Sequence, residues 1–152
     1  MSEYLRAVGL EDISILYEWA NDPIVRKNSI NQSTISWEEH NSWFHARLLS
    51  PTTQIFIMMC NEEPCGQIRF DFNNDVYQID YSIDSEFRGK GLGTRIIELG
   101  INRMKELAPL PKFIAKVNIQ NVPSIKIFEQ CGFEKLNEEF INKDRYVHYQ
   151  LK

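Results

Sequence analysis

The sequence has few cysteines and no pattern that binds a metal. Its 152 residues include three cysteines, Cys60, Cys65 and Cys131, with no CxxC pair, and three histidines that show no ligand spacing with them. Structural zinc sites need closely spaced pairs of this kind, so we expect no metal. An odd number of unpaired cysteines favours free thiols in a reducing cytoplasm over a secreted disulfide framework.

Long apolar runs and an excess of basic charge are also missing. The longest strongly apolar stretch, residues 55–60, is far shorter than the roughly 20 residues that span a membrane. The N-terminus lacks the basic and apolar regions of a signal peptide. The formal net charge is −4, whereas a nucleic-acid surface needs a basic field. We therefore expect a cytoplasmic protein with neither a membrane nor a nucleic acid as its partner.

The chain does contain alternating helix and strand patterns, with no repeat or linker, so we expect one domain over residues 1–152. Strands are predicted at 4–8, 54–60, 66–72, 76–84, 112–117, 133–137 and 145–152. Helices are predicted at 11–22, 37–49, 92–107 and 122–130, and the second begins at a capping box of Ser36 and Glu39. The resulting order, β-α-α-β-β-β-α-β-α-β-β, predicts an α/β (α+β) fold, a mixed sheet flanked by helices.

A glycine-rich loop joins the strand that ends near Asp84 to the helix that begins near Leu92. Gly89, Gly91 and Gly93 occupy alternate positions in it. Free N–H groups at a helix start attract an anion, and glycines let the backbone approach it closely. The spacing matches neither the dinucleotide pattern GxGxxG nor the P-loop pattern. The alternative is a helix entry whose glycines serve only tight packing.

Two motifs together resemble a known family. The first is Arg88, Gly91 and Gly93 in "RGKGLG", and the second is Asn121, Ser124, Gly132 and Phe133 in "NVPSIKIFEQCGF". They resemble the acyl-CoA-binding motifs of the GNAT N-acetyltransferase superfamily, and the predicted strand order is similar to that fold over the whole chain. The resemblance implies a mostly antiparallel sheet, acetyl-CoA as the cofactor and a small-molecule amine as the acceptor. A homodimer is left open.

The resemblance also implies which residues hold coenzyme A. The loop would cradle the pyrophosphate, the pantetheine arm would lie near Ile83 and bond to Asn121, and Ser124 or Lys126 would lie near the nucleotide. The full implied set is Ile83, Arg88, Gly89, Lys90, Gly91, Leu92, Gly93, Thr94, Asn121, Ser124, Lys126 and Phe128.

The candidate catalytic residues include one departure from the family pattern. The family usually carries a tyrosine that protonates the leaving thiolate at the position of Phe128 here, so water, Tyr146 or Tyr149 could take its place. Asp80 and Ser82 lie on the polar face of the strand 76–84. They are our candidate catalytic residues, with Asp80 as the base that frees the amine. The alternative for Asp80 is a solvated or salt-bridged carboxylate.

The N-terminal third is expected to choose the acceptor. Arg26, His40, Trp43 and Phe44 could form a pocket with stacking faces, a cation and a hydrogen bonder, unless the aromatic residues and His40 belong to the core. "WANDPIVR" and "EEHNSWF" resemble the GNAT branch that acetylates the 4-amino group of UDP- or dTDP-linked amino sugars for bacterial surface glycans, including pseudaminic acid. A protein N-terminal acetyltransferase of the ribosomal type, an enzyme for another small amine such as a polyamine, and a non-catalytic acetyl-CoA-binding module remain alternatives.

Overall fold

The computed structural model describes residues 2–151, which form one seven-stranded sheet with helices on both faces. The strands are β1 Glu3–Ala7, β2 Thr53–Cys60, β3 Glu63–Asn73, β4 Val76–Ile83, β5 Phe113–Asn118, β6 Phe133–Ile141 and β7 Asp144–Leu151. The helices are α1 Ile13–Ala20, α2 Pro23–Lys27, α3 Trp37–Leu49, α4 Leu92–Leu107 and α5 Val122–Gln130. The strand order in the sheet is β1-β2-β3-β4-β5-β7-β6.

The predicted fold class is confirmed, because every neighbouring strand pair is antiparallel except the parallel pair of β4 and β5. The predicted order omitted the short helix α2. Its start is fixed by Asp22, whose side chain accepts a hydrogen bond from the N–H of Ile24 at 2.9 Å, with Pro23 in the first turn. β6 also runs past its predicted end to Ile141. Met1 and Lys152, which end the predicted domain, lie outside the described residues.

The hairpin between β3 and β4 sets the register of four polar residues on these two strands. Asn74 and Asp75 make its turn with φ of 52° and 66°, values that asparagine and aspartate tolerate in a two-residue turn. The register places Arg69 opposite Asp80 and Gln67 opposite Ser82. These four polar side chains therefore lie together on one face of the sheet.

Hydrophobic clusters cover the two faces of the sheet. The larger one packs α4 and α5 against the sheet through residues such as Ile68, Phe70 and Ile96. The smaller one packs α1 and α3 on the other face, around Trp19 and Phe44. Helices therefore pack on both faces of the sheet, and packed helices flank the carboxyl end of β4.

The parallel strands β4 and β5 separate along their length. They pair only at Tyr77 with Phe113 and at Gln78 with Ile114, although β4 continues to Ile83 and β5 to Asn118. The second half of each strand therefore borders a wedge. The glycine loop, which follows β4 after a short 3₁₀ turn at Ser85–Phe87, borders this wedge.

Several simple features of the chain bear on its chemistry. Cys60, Cys65 and Cys131 are free thiols, and the first two are buried. Residues 2–151 contain no group of three or more potential metal ligands close together. Across the same residues, no helix combines the length and the apolar character that crossing a membrane requires.

Candidate functional site

The glycine loop has a backbone that only glycine adopts readily. Gly89 and Gly91 both have φ of 77°, and Gly91 is the N-cap of α4. In an α-helix the first N–H groups have no acceptor inside the helix, here those of Leu92, Gly93 and Thr94. The helix dipole adds a partial positive charge at the same place. Both features favour an anion at this loop.

A cavity of about 650 Å³ fills the wedge beside this loop, and we call it the first cavity. Its lining includes every residue of the predicted coenzyme set except Lys90. The ammonium of Lys90 instead lies 5.5 Å from the centre of the Phe87 ring, over its face. The structure therefore brings the loop, the end of β4 and the start of α5 around one space, while the assignment of coenzyme contacts to these residues stays a prediction.

The start of α5 forms the wall opposite the loop. The Asn121 side chain caps the helix by accepting a hydrogen bond from the Ser124 N–H at 3.4 Å. The Tyr81 hydroxyl donates to Ser124 Oγ at 2.9 Å, which ties β4 to α5. Phe128 is buried, with its ring centre 5.7 Å from that of Tyr81. The ring at the position of the family's tyrosine is thus in the core and also borders the cavity.

Arg88 and Asp84 connect the segment between β4 and the glycine loop to neighbouring elements. Arg88 Nε donates to the Ile83 carbonyl at 3.0 Å, and its guanidinium lies 3.3 Å from the Asp22 carboxylate at the N-cap of α2. Trp19 Nε1 donates to Asp84 at 2.7 Å. These contacts fix the end of β4 relative to the N-terminal helices, so the two sides of the site are held in one geometry.

A second cavity of about 510 Å³ lies on the other side of β4, beneath α2 and the segment 28–35. The two cavities meet, because eight residues line both of them: Val25, Asn28, Ser29, Ile79, Asp80, Tyr81, Ser82 and Lys116. Reactants that approach from opposite sides would meet at this junction.

Asp80 and Ser82 both lie at the junction, as the predicted strand alternation requires. Gln67 Nε2 donates to Asp80 Oδ2 at 3.1 Å and to Ser82 Oγ at 3.2 Å. The Asp80 carboxylate also lies 3.7 Å from the Arg69 guanidinium and remains 53% exposed. Burial opposes the charge of Arg69, but the carboxylates of Asp80 and Asp71 outweigh it and raise the Arg69 pKa. The carboxylate at the junction is therefore held in place and still open to a ligand.

Arg26 and His40, two of the predicted acceptor residues, line the second cavity but already have partners. Arg26 donates to the carbonyls of Ala20, Asn31 and Ser33 and to the Ser29 hydroxyl. A guanidinium has five N–H groups, so these four bonds leave one to donate to a ligand. His40 Nε2 bonds to the Ile13 carbonyl at 2.8 Å. Burial lowers the pKa of His40, which keeps the ring neutral.

Trp43 and Phe44 have different environments, although they are adjacent in α3. Trp43 lines the second cavity, and the Arg69 guanidinium lies 5.3 Å from its ring centre. Phe44 is 0% exposed and belongs to the cluster with Trp19 and Ile57. The prediction that Phe44 contacts the substrate is therefore wrong, because adjacent residues of a helix point in directions about 100° apart, and this one points into the core.

Neither proposed substitute for the missing tyrosine lies at the junction. Tyr149 donates its hydroxyl to Glu129 at 3.0 Å and does not line either cavity. Tyr146 lines only the second cavity. Its burial raises the pKa of its hydroxyl, so that group stays protonated.

Sequence reasoning missed four residues that shape the junction: Gln67, Arg69, Tyr81 and Lys116. Gln67 and Arg69 alternate with the apolar residues Ile68 and Phe70 along β3, so their shared polar face could have been recognised in the sequence. Lys116 alternates in the same way on β5. For Tyr81 no local signal existed, because it shares a strand face with Ile79 and Ile83 and reads as core.

The fold thus places two cavities that meet at β4, next to a glycine loop at the start of a helix. The chain matches the family model of the acetyltransferase (GNAT) domain over residues 4–134. It therefore belongs to the GNAT acetyltransferase family. The expectation of a GNAT acetyltransferase is confirmed at this level.

Similar sequences cover most of this chain. An uncharacterized protein of Methanocaldococcus jannaschii is 28% identical over 135 residues, which is 86% of this chain and 28% of that protein. The spermidine N(1)-acetyltransferase of Escherichia coli K12 is 24% identical over 145 residues, 91% of this chain and 78% of that enzyme. The chain thus spans little more than a quarter of the first relative and most of the second.

Solved structures share the fold. Spermidine N-acetyltransferase from Vibrio cholerae, in complex with coenzyme A and spermine, has a TM-score of 0.88 at 17% identity, covering 98% of this chain and 94% of that one. The aminoglycoside acetyltransferase AAC(6')-Ib with ribostamycin and coenzyme A gives 0.86 at 20% identity, covering 100% and 94%. The ribosomal L7/L12 alpha-N-protein acetyltransferase with coenzyme A gives 0.84 at 18% identity, covering 99% and 93%.

Proposed function

We propose that this chain transfers the acetyl group of acetyl-CoA to the amine of an amino sugar, most specifically the 4-amino group of a nucleotide-linked sugar. The observation that carries the proposal is the junction of the two cavities at Asp80, Tyr81 and Ser82. Solved structures of the same fold contain coenzyme A or acetyl-CoA. In this chain acetyl-CoA would occupy the first cavity. The acceptor would enter the second.

The donor side fits a pyrophosphate and a thioester arm. The glycine loop offers helix N–H groups to the phosphates, and the unpaired edge of β4 offers backbone N–H groups to the arm and to the oxyanion. Among the loop residues, Gly89 and Gly91 admit the close approach because nothing lies within 4 Å of where a Cβ would be. A tetrahedral intermediate would form at the junction and place its oxygen towards Ile83.

The acceptor side must deliver a neutral amine. An amine of lysine type has a pKa near 10.4, so neutralising it at pH 7 costs about 4–5 kcal/mol. Asp80 is the carboxylate at the junction, and Gln67 fixes one of its oxygens at 3.1 Å. We assign Asp80 to attract the ammonium and to accept its proton, directly or through water, with Ser82 as a further polar contact.

The lining of the second cavity suits a sugar. Two indoles, Trp19 and Trp43, lie there with the polar side chains of Glu39, Gln78 and Asn31. Carboxylate and amide groups can bond to neighbouring hydroxyls, and an aromatic ring can pack on the apolar face of a sugar. The roof formed by α2 and segment 28–35 favours such a compact acceptor over a protein terminus. The remaining Arg26 N–H would meet the diphosphate of a nucleotide-linked sugar.

A polyamine is the second candidate, and one observation favours it. Glu39, Asp71 and Asp80 all line the second cavity, and such carboxylates attract a substrate with several positive charges. Asp71 and Asp80, however, are both paired with Arg69, which offsets part of that field. The spermidine enzymes among the relatives make this comparison worth testing directly.

The test is acetyl-CoA-dependent thiol release with four acceptors: a UDP-linked 4-amino sugar, the free amino sugar, spermidine and a ribosomal N-terminal peptide. The proposal expects turnover with the UDP-linked sugar at a kcat/KM at least tenfold above the other three. A preference for spermidine or for the peptide would replace the acceptor. Acetyl-CoA binding without turnover on any of them would favour a binding module.

Matched variants assign the base in the same assay. Asp80→Asn keeps the shape and should lower kcat by roughly a hundredfold, within the range of general-base catalysis. Asp75→Asn makes the same change in the exposed β3–β4 turn and should leave kcat unchanged. A cytoplasmic location and a homodimer remain predictions, the second of which sedimentation of the purified chain would decide.

A further inference from the structure

We propose that the hydroxyl of Tyr81 is the hydrogen-bond donor to the sulfur of coenzyme A when the thioester breaks. The inference rests on the proposed acetyl transfer and adds the group that stabilises its leaving thiolate. It is carried by the position of Tyr81 at the junction of the two cavities and by its contact with α5.

The step itself creates a charge that needs a partner. The acceptor nitrogen forms a bond to the acetyl carbon, the carbon–sulfur bond breaks, and its electron pair passes to the sulfur. The proton lost by the nitrogen goes to Asp80 or to water, and the sulfur takes a proton from solvent when coenzyme A leaves. Until then the thiolate is partly removed from water, where a fixed O–H donor stabilises it strongly.

The location of the sulfur follows from the cavities. The amine comes from the second cavity and the coenzyme arm from the first, so the thioester must lie at the shared residues. Asp80, Tyr81 and Ser82 line both cavities, but side chains alternate along a strand, so Asp80 and Ser82 lie on the sheet face of Gln67 and Tyr81 lies on the other face, against α5. Tyr81 is therefore the β4 hydroxyl on the side of α5, a helix that lines only the first cavity.

The contacts of Tyr81 place its ring between the two helices that border the arm. A Cβ on Gly93, in the first turn of α4, would lie 3.7 Å from the Tyr81 ring. The Phe128 ring is in edge contact from α5, and the hydroxyl reaches Ser124 Oγ at 2.9 Å. The ring is thus held on both sides, and its oxygen is aimed at the wall of the first cavity.

The hydroxyl can change its acceptor without moving the ring. Rotation about the phenol C–O bond turns the proton from Ser124 to the sulfur, and the Ser124 hydroxyl can then donate to the Tyr81 oxygen in return. Burial raises the pKa of Tyr81 to about 12, so the group keeps its proton throughout the useful pH range. Phe128 has no hydroxyl with which to compete for this role.

The experiment compares binding of coenzyme A and desulfo-coenzyme A, which lacks the sulfur, by calorimetry at about pH 7 and about pH 9.5, on either side of an ordinary thiol pKa of about 8.5. A donor to the thiolate lowers the pKa of the bound thiol. In wild-type protein the ratio of the affinity for coenzyme A to that for desulfo-coenzyme A should therefore be roughly tenfold higher at about pH 9.5 than at about pH 7. This is the effect of one hydrogen bond to a charged group.

Tyr81→Phe should abolish that pH-dependent preference and leave the affinity for desulfo-coenzyme A unchanged. Tyr77→Phe is the matched control, because Tyr77 lies on the same face of β4 and lines neither cavity. The charged or titratable neighbours Asp80, Lys116 and Cys131 remain in both variants, so their titration cancels in the comparison.

Three results would overturn the inference. The first is a preference for coenzyme A over desulfo-coenzyme A that rises with pH in Tyr81→Phe as much as in wild type, which would mean that another group donates to the sulfur. The second is a wild type that shows no rise, which would mean that no group donates to the sulfur. The third is a wild type that binds neither compound, and only this result would also refute the proposed function.

Discussion

Replacing Gly91 with alanine should change two quantities that can be measured separately. These are the stability of the fold and the affinity of the glycine loop for acetyl-CoA. Gly91 has φ of 77°, and an alanine forced into this left-handed conformation costs about 1–2 kcal/mol. Space is not the limit, because nothing lies within 4 Å of the added Cβ. For a domain of this size each 1 kcal/mol lowers Tm by about 2–4 °C, so Gly91→Ala should melt about 2–8 °C lower.

The ligand effect comes on top of this strain. The added methyl would lie at the N-cap of α4, on the lining of the first cavity. In the proposed function the phosphates of acetyl-CoA approach the helix N–H groups at this place. Losing one such charged hydrogen bond weakens binding by roughly tenfold or more. Gly91→Ala should therefore lose acetyl-CoA affinity by at least that factor.

Gly132→Ala is the matched control. Gly132 also has a positive φ, 92°, and its added Cβ would meet Leu151 at an ordinary 3.5 Å. It lies outside both cavities, so this variant should lose similar stability and keep its affinity. Calorimetry with acetyl-CoA and thermal melting decide the matter. Equal affinity in both variants, with equal loss of Tm, would refute the assignment of the loop to phosphate binding.

Two further predictions concern Asn121 and His40. Asn121→Ala should lose about 1 kcal/mol of helix-capping stability and also bind acetyl-CoA more weakly. Asn121→Ser should keep the cap and lose only affinity for acetyl-CoA. A serine variant that binds acetyl-CoA normally would limit Asn121 to its capping role. Because burial lowers the pKa of His40, its contribution to stability is complete above about pH 6.5 and is lost as pH falls through the lowered value. Urea midpoints between about pH 7 and 5 should fall less steeply in His40→Gln than in wild type, with the exposed His45→Gln as control.

The elements that could be predicted from the sequence are those with strong local signals. The periodicity of residues 92–107 and the stop at Gly132 gave helices whose observed ends agree. The short helix α2 was missed because five residues are too few for a periodic pattern. Its signal was the pair Asp22 and Pro23, which reads equally well as a turn.

The candidate site divided in the same way. The glycine loop could be predicted because its positive φ angles favour glycine, and the glycines can be read in the sequence. The partners of Arg26 were not visible, since its bonds go to main-chain carbonyls of Ala20, Asn31 and Ser33, and any sequence provides carbonyls. Phe44 was misassigned because it shares a predicted helix face with His40 and Trp43, and periodicity does not tell which part of such a face packs into the core.

Tyr81 shows why a change at one position has to be considered together with its neighbours in space. Read alone, Phe128 is the loss of a hydroxyl, and the consequence would be a slower enzyme or none. In the structure its ring touches that of Tyr81, 47 residues earlier in the chain, whose hydroxyl reaches α5 only four residues before Phe128. In the proposed mechanism β4 carries Asp80 as the base on one face and Tyr81 as the donor to the thiolate on the other. The ammonium and the thiolate would then lie beside adjacent residues of one strand. The pairing of Tyr81 with Phe128 is a contact across the sheet–helix boundary, so no local pattern in the sequence could have indicated it.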